Sequence, residues 1–434
     1  MWTDFPWRYG RRMSDSRCSP GSAPGGKPPA LQGVGPVLAV VVAAAALAGA
    51  AAWAAVPAKL SVHGEFVDLS VYQYGGRLVL DGMPLYGSRD PATNLRFTYP
   101  PFAALAMVPL GPLPFWLATA LWTAASVAAL AGAVALVGRA LGHPVAGWHV
   151  ALLTVGALAL EPVWQNLTFG QINLLLMLAV LIDLVHPERR WSGVLVGIAA
   201  GVKLTPLVFV VLLVMVGRRT TAGRALLAFA GTVAIGVAVI PGSARAYWTE
   251  NLFSAGRVGP PQLTHNQSVF GVLTRLLDAP PPNLLWLAVA GPLAAAVVVI
   301  GAVCWRRGDR VLGTGLGALA MLLASPISWS HHWVWAVPVG LALWQHNRWA
   351  GLAWIAVFVT RPFLWPPWGW RREYEWTPVE HVVGNAYVLA ALAVSVGVAV
   401  ALGRRVGPLA RRPDDGVGRL DGRSFTGHPG LSGG

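Results

Sequence analysis

Charge is scarce in this 434-residue sequence: only 12% of its residues are Asp, Glu, Lys or Arg, against 55% hydrophobic, and the mean hydropathy is +0.56. A soluble domain could not cover its surface with so few ions, so that class is excluded, and most of the chain must face lipid or other membrane helices. Acid is scarcer than base, 18 residues against 32, for a net charge of +14. No nucleic-acid partner follows from that excess, because the arginines lie in short clusters between apolar runs and form no basic stripe interleaved with aromatics. Lysine is nearly missing; Lys27, Lys59 and Lys203 are all there are. Cysteine is limited to Cys18, in a polar N-terminal tail, and Cys304, at the end of an apolar run beside Arg306 and Arg307, so no disulfide is expected. Also missing are HExxH, DxD, a Gly-rich phosphate loop and CxxC, and with them the usual signs of a zinc hydrolase, a metal-dependent nucleotide-sugar enzyme, an NTPase or a thiol oxidoreductase.

What is present is a succession of apolar runs at 33–56, 114–138, 147–164, 171–186, 225–241, 285–304, 310–324, 332–345, 349–364 and 384–403. The first is too long for a signal core and reads as an uncleaved span. Basic clusters punctuate the runs at Arg8–Arg17, Arg139, Arg189–Arg190, Arg218–Arg224, Arg306–Arg310, Arg348 and from Arg404 onward. With both termini cytoplasmic and alternating crossings, every cluster falls on the cytoplasmic side, provided that 192–216 enters and leaves by one face. That segment carries the break GVKLTP and reads as a helical hairpin with Lys203 near its turn. Residues 101–112, punctuated by proline, read as a re-entrant or interfacial piece. The expectation is an all-α polytopic membrane protein with ten to twelve membrane helices over 33–403, between disordered cytoplasmic tails at 1–32 and 404–434.

The loops left facing outward hold the polar residues capable of chemistry. In 57–100, GEFVDLSVYQYGGRLVLDG spaces Asp68, Tyr72, Gly75 or Gly76 and Val79 helically, with Gly82 closing an amphipathic surface helix. Asp68 is either the N-cap of that helix or a partly desolvated carboxylate able to take a proton from a hydroxyl, or both. Pro100 and Pro101 hold Tyr99 extended where the chain re-enters the membrane. EPVWQNLTFGQINLLLML places the amides of Gln165, Asn166, Gln171 and Asn173 at a helix-to-helix turn, fit to bind sugar hydroxyls or to join helices. Lys203 is the one lysine of the helical region, and the cost of a cation there makes function the default reading, with a lipid phosphate as the apt partner. Arg257, Arg275 and Arg361 are further anion-binding candidates, for each of which an ion pair is the simpler role. THNQSVFGVLTRL contributes His265, Asn266 and Gln267 before another short helix, and SPISWSHHWVW contributes His331 and His332. Adjacent histidines diverge on a helix and make a poor two-ligand site, so they suit phosphate better than metal, and no metal is expected.

The ordered set DLSVYQYGGRLVLDGMPLY, FTYPPF, FGQINLLL, AAGVKLTPL, HNQSVFGVLTR and SPISWSHHWVW resembles the actinobacterial polyprenyl-phosphate-mannose-dependent alpha-(1,2)-mannosyltransferases of the GT-C class, from about residue 60 to about residue 345. The resemblance implies a GT-C fold whose hydrophilic cavity faces the periplasm, and transfer of mannose from a polyprenyl-phosphate carrier to a mannolipid or lipoglycan, with inversion. It places the catalytic carboxylate at Asp68 and a family histidine at His331 or His332. Lys203, His331, His332 and Arg361 would then face the donor phosphate, while Tyr72, Tyr99, Gln171, Asn173, His265, Asn266 and Gln267 would contact substrate. No cofactor is implied beyond the lipid-linked donor itself, and no protein partner. Two rivals stand beside this reading: a GT-C enzyme using another carrier such as decaprenyl-phosphate arabinose, and a flippase that moves the lipid-linked sugar unreacted.

Overall fold

The computed structural model describes residues 65–143, 146–253, 259–369 and 371–404. The expected first span at 33–56, both polar tails up to Arg404, Cys18 and Arg257 lie outside the described residues. Within them the protein is all-α, and the sole extended pairing is an isolated antiparallel bridge between Asn266 and Trp329.

The chain opens with α1 (Val67–Leu80) and a short α2 (Pro101–Met107), followed by α3 (Phe115–Ala140). Two short helices, α4 (Gly147–Ala157) and α5 (Glu161–Phe169), precede α6 (Asn173–Val185), the hairpin of α7 (Val194–Val202) and α8 (Val208–Met215), and α9 (Arg219–Val239). Next come α10 (Pro241–Thr249), α11 (Val269–Leu276), α12 (Asn283–Arg306) and α13 (Arg310–Ala324). A 3-10 segment, Ser330–Trp335, leads into α14 (Ala336–His346), and α15 (Arg348–Thr360), α16 (Pro378–Gly384) and α17 (Ala386–Arg404) complete the order.

Helices α3, α9, α12 and α17 are long and apolar enough to cross a bilayer. The pair α4 and α5 adds a fifth only if its 84° bend is read as one broken span. The ten to twelve crossings expected over 33–403 treated every apolar run as a span. Proline explains much of the difference: Pro162 lacks an N–H and its ring conflicts with the carbonyl four residues back, so 147–164 cannot continue as one helix. The same physics splits 192–216 as expected. Pro206 cannot donate to the Val202 carbonyl, the chain leaves the helix at Lys203 in an extended conformation, and Thr205–Leu207 starts the return. The expected re-entrant piece is α2 with its 3-10 continuation Val108–Leu110.

Small residues set how closely the hairpin packs. Gly193, Gly197 and Gly201 recur every four residues on α7 and meet Thr221, Ala225, Ala228 and Thr232 of α9. The Asp183 carboxylate of α6 accepts from the Val196 amide at 2.9 Å, satisfying an otherwise orphaned donor at the start of α7. At the centre lies α13, buried at every position from Val311 to Leu323, as a helix apolar all round must be. By contrast α9 exposes Leu226, Leu227, Ile235, Val237 and Val239, an apolar face suited to lipid.

Arginines of two basic clusters, Arg218 and Arg306–Arg310, gather at one pole. Arg310 pairs with Glu188 at 2.6 Å and donates to the Val185 carbonyl, Arg218 reaches the same Glu188 at 3.5 Å, and Arg306 donates to the Met215 carbonyl. His346 meets Asp309, His143 meets Gln345, and Arg307 donates to the Leu402 carbonyl. The hairpin rises from this pole, and the nine residues of α7 carry Lys203 about 13 Å along the helix axis from its start.

Candidate functional site

Asp68 reaches the interior because α1 and the end of α5 approach closely. The Phe66 amide donates to the Thr168 carbonyl at 2.7 Å, and Gly170, at φ +65°, lies so near Leu69 that a Cβ would sit 2.6 Å from the leucine's own. Asp68 is not the N-cap of α1; Phe66 occupies that place in a left-handed conformation, and Asp68 is in the first turn, where the helix dipole favours an anion. The Gln171 amide lies beside the half-buried Asp68 carboxylate, and Lys203 is near enough for its charge to act on it. Desolvation outweighs both and pushes the carboxyl up to about 6.

Two further side chains lock Gln171. The Tyr72 hydroxyl is 2.9 Å from both the Gln171 carbonyl oxygen and the Tyr99 hydroxyl, and Gln171 Nε2 donates to Tyr99 at 3.1 Å. The Tyr72 and Tyr99 rings meet edge to face at 5.2 Å, which fixes the hydroxyls by packing as well as by hydrogen bonds. Lys203 Nζ donates to Asn173 Oδ1 at 2.9 Å and lies 3.0 Å from His332 Nε2, with the Tyr99 ring 5.9 Å away. An ammonium carries hydrogens only, so His332 Nε2 accepts and the imidazole proton resides on Nδ1. Asn173 Nδ2 donates in turn to the His331 carbonyl at 3.1 Å.

Asp68, Tyr72, Tyr99, Gln171, Asn173, Lys203 and His332 thus form one connected constellation. Beside it opens a narrow cavity lined by the polar Lys203, Asn173, Thr205 and His332 and by the apolar Leu176, Met177, Phe209 and Trp335. Asp68 is not among the lining residues; it meets the cavity through Lys203. The arrangement offers a carboxylate with a raised proton affinity, a partly buried cation, and apolar walls next to that cation.

The two adjacent histidines have different surroundings. His331 is buried, its ring edge-on to Phe169 at 5.5 Å, and its Nε2 has no hydrogen-bond partner among the described residues. His265 packs edge to face on Phe363 and Trp368, near His331, and burial pushes it down to about 4, so it is neutral at physiological pH. Asn266 and Gln267 are fully buried, and their amides are committed to the protein. Asn266 binds the carbonyls of Pro261 and Pro326 and the Ser328 amide; Gln267 binds the carbonyls of Thr264 and Gly384 and the Tyr387 amide. They clasp the loop before α11 to the segments around it, with no hydrogen bond to the constellation. Arg275 is likewise enclosed, donating to the carbonyls of Gln262, Leu263 and Asn266 and to Asn385 Oδ1. Arg361 closes α15 at φ 53°, is buried near Glu161 and Tyr387, and is not part of the cavity lining.

Glu161 is the residue sequence reasoning passed over. It is 3% exposed, accepts from the Tyr387 hydroxyl at 3.0 Å and lies beside Ser330. The cost of burying a charge, which singled out Lys203, applied equally to this carboxylate inside the run EPVWQNLTFGQIN.

A family model described as Glycosyltransferase family 87 matches residues 97–326. That stretch includes Tyr99, Gln171, Asn173, Lys203 and His265–Gln267, while Asp68, Tyr72, His331, His332 and Arg361 fall outside it. A polyprenol-phosphate-mannose-dependent alpha-(1-2)-phosphatidylinositol pentamannoside mannosyltransferase of Mycobacterium tuberculosis (strain CDC 1551 / Oshkosh) is 37% identical over 362 residues, covering 76% of this chain and 82% of that protein. A polyprenol-phosphate-mannose-dependent alpha-(1-2)-phosphatidylinositol mannoside mannosyltransferase of Mycobacterium tuberculosis (strain ATCC 25618 / H37Rv) is 31% identical over 375 residues, 79% of this chain and 86% of that protein. An alpha-(1->3)-arabinofuranosyltransferase of Corynebacterium glutamicum is 30% identical over 159 residues, 35% of this chain and 38% of that protein. No solved structure matches.

Proposed function

The chain belongs to glycosyltransferase family 87, a family of membrane glycosyltransferases, and we propose that it moves mannose from polyprenyl-phosphate mannose to a mannolipid or lipoglycan, forming an alpha-(1,2) linkage with inversion. The names of the two mycobacterial relatives support mannose as the sugar and a phosphatidylinositol mannoside as the kind of acceptor. The observation that carries the mechanism is the placement of Asp68: its carboxylate lies within the field of Lys203 and is oriented by Gln171, which is itself held by Tyr72 and Tyr99.

In this mechanism the acceptor hydroxyl oxygen attacks the anomeric carbon, the carbon–oxygen bond to phosphate breaks with its electron pair on the phosphate, and Asp68 takes the hydroxyl proton. A phosphate leaving group is already anionic and needs no strong general acid, so one base suffices where glycoside hydrolysis requires two carboxylates. A carboxyl pushed up to about 6 is a stronger proton acceptor than an ordinary aspartate yet is still mostly ionised at neutral pH. Lys203 steadies the phosphate as its charge grows. His332, whose Nε2 already accepts from Lys203, acts by holding that ammonium in place. His331 has Nε2 available for the donor phosphate. The apolar body of the cavity suits the isoprenoid next to that phosphate, and a lipid-bound donor reaches it laterally. On this reading the basic pole faces the cytoplasm, both termini lie there, and the site works on the outer side of the plasma membrane.

The test is a transfer assay in membranes carrying the protein, with labelled polyprenyl-phosphate mannose, labelled decaprenyl-phosphate arabinose and a panel of mannoside acceptors. Mannose incorporation dependent on an acceptor is the expected result. Arabinose incorporation in its place makes the chain an arabinosyltransferase, and movement of the carrier across the bilayer without transfer makes it a flippase.

A further inference from the structure

The segment that carries the two histidines has no regular helix to hold it. Ser330–Trp335 is a 3-10 stretch with Trp333 off helical geometry, and 3-10 turns of this length are weak on their own. Its direction must be imposed from outside, and the contacts that impose it come from α5 and α6. Phe169, at the end of α5, packs edge-on against His331, and Asn173, at the start of α6, donates to the His331 carbonyl. At the other end of α5, the buried Ser330 lies beside the buried Glu161 carboxylate, whose Oε2 accepts from the Tyr387 hydroxyl at 3.0 Å. Tyr387 is itself immobilised, its ring 4.3 Å from that of Phe358 and 5.0 Å from that of Phe363, and its backbone amide bound by Gln267.

We infer that Glu161, braced by Tyr387, is a positioning residue: through Ser330 it sets the course of the segment bearing His331 and His332, and so the contact of His332 with Lys203. Glu161 is not itself among the residues that line the cavity. Its charge is not what the role needs. A glutamine at the same place offers an acceptor oxygen to both hydroxyls, whereas an alanine offers none. Displacing a side chain at a reacting centre by about 1 Å costs on the order of a hundredfold in rate, so a residue that only aims another can still be worth much of the turnover.

The inference rests on the proposed mannosyl transfer for its kinetic half and is independent of it for the other. In membranes, Glu161→Ala is expected to lower kcat by about 30- to 100-fold with the donor KM within about threefold, and Glu161→Gln to recover to within about threefold of the starting rate. The second readout needs no substrate. In a background with Lys27→Arg and Lys59→Arg, Lys203 is the remaining lysine, and its acetylation by a neutral succinimidyl ester is followed by mass spectrometry of the Lys203 peptide. Releasing His332 frees the amine, so Glu161→Ala and Ser330→Ala should each speed acetylation by about fivefold, with Glu161→Gln unchanged. Ser330→Ala removes one hydroxyl and serves if Glu161→Ala does not fold. Acetylation at the starting rate in both variants, or a Gln variant as impaired as the Ala variant, overturns the positioning role. A wild-type protein that transfers no mannose while the acetylation pattern holds defeats the mannosyl reading alone.

Discussion

Replacing Lys203 by methionine keeps the length of the side chain and removes its charge, and two consequences follow from the geometry. The first concerns the donor. An ammonium bound to phosphate is a charge-assisted pair worth about 1.5–3 kcal/mol, so donor affinity should fall roughly 10- to 150-fold. The second concerns Asp68. The nearby cation favours the charged carboxylate, and without it the Asp68 carboxyl rises further, so the acid limb of the pH–rate profile should move above its starting position near 6. A donor series at pH 7.5 and a pH series at saturating donor measure the two effects separately. Because Asn173 Oδ1 and His332 Nε2 both lose a donor, thermal unfolding in detergent must accompany the kinetics. An acid limb that does not move, together with an unaltered donor KM, would refute the claim that residues 68 and 203 share a site.

Three other outcomes are expected. In the unmodified protein Asp68 must be ionised to act, and its proton is held until about pH 6, so activity is lost as pH falls through that value. The ionised fraction drops from about 0.9 at pH 7 to about 0.1 at pH 5, a loss of roughly tenfold in rate; a flat profile over that interval argues against Asp68 as the base. Gln267→Leu strands the partners of a fully buried amide and should cost about 1–3 kcal/mol of stability with the donor KM unchanged, whereas a raised KM at an unchanged unfolding temperature would return Gln267 to substrate contact. Gly197→Ala drives a Cβ into the Ala225 carbonyl and to 2.6 Å from Ala228 Cβ, so it should push α7 from α9 and destabilise the protein by about 1–3 kcal/mol. Normal unfolding in that variant would mean the two helices are not packed as described.

Much of the fold was legible because it rests on local chemistry. The apolar run 310–324 became α13 to the residue, Lys203 emerged at the break in GVKLTP, and the surface helix after Phe66 followed the spacing of its apolar positions. The number of crossings was less legible, since hydropathy registers apolar character but not the bend that Pro162 introduces between α4 and α5. At the site, residue type picked out Asp68, Gln171, Asn173 and Lys203, for these are polar groups whose burial needs a reason. The same criterion also selected Asn266, Gln267 and Arg361, because a side chain that clasps two segments and one that meets a ligand bear the same desolvation cost. Only the partners tell them apart, and those lie far away in sequence: Gln267 binds at Gly384 and Tyr387. Glu161 was hidden for the same reason, its meaning depending on Ser330 and Tyr387.

The central claim is that the Asp68 carboxylate accepts the acceptor's proton. Asp68→Asn retains the size and the hydrogen-bonding edge toward Gln171 and loses only the basic oxygen. Membranes with that variant should transfer mannose about 10²- to 10⁴-fold more slowly than the starting protein and bind labelled polyprenyl-phosphate mannose as before; transfer at the starting rate would contradict the account.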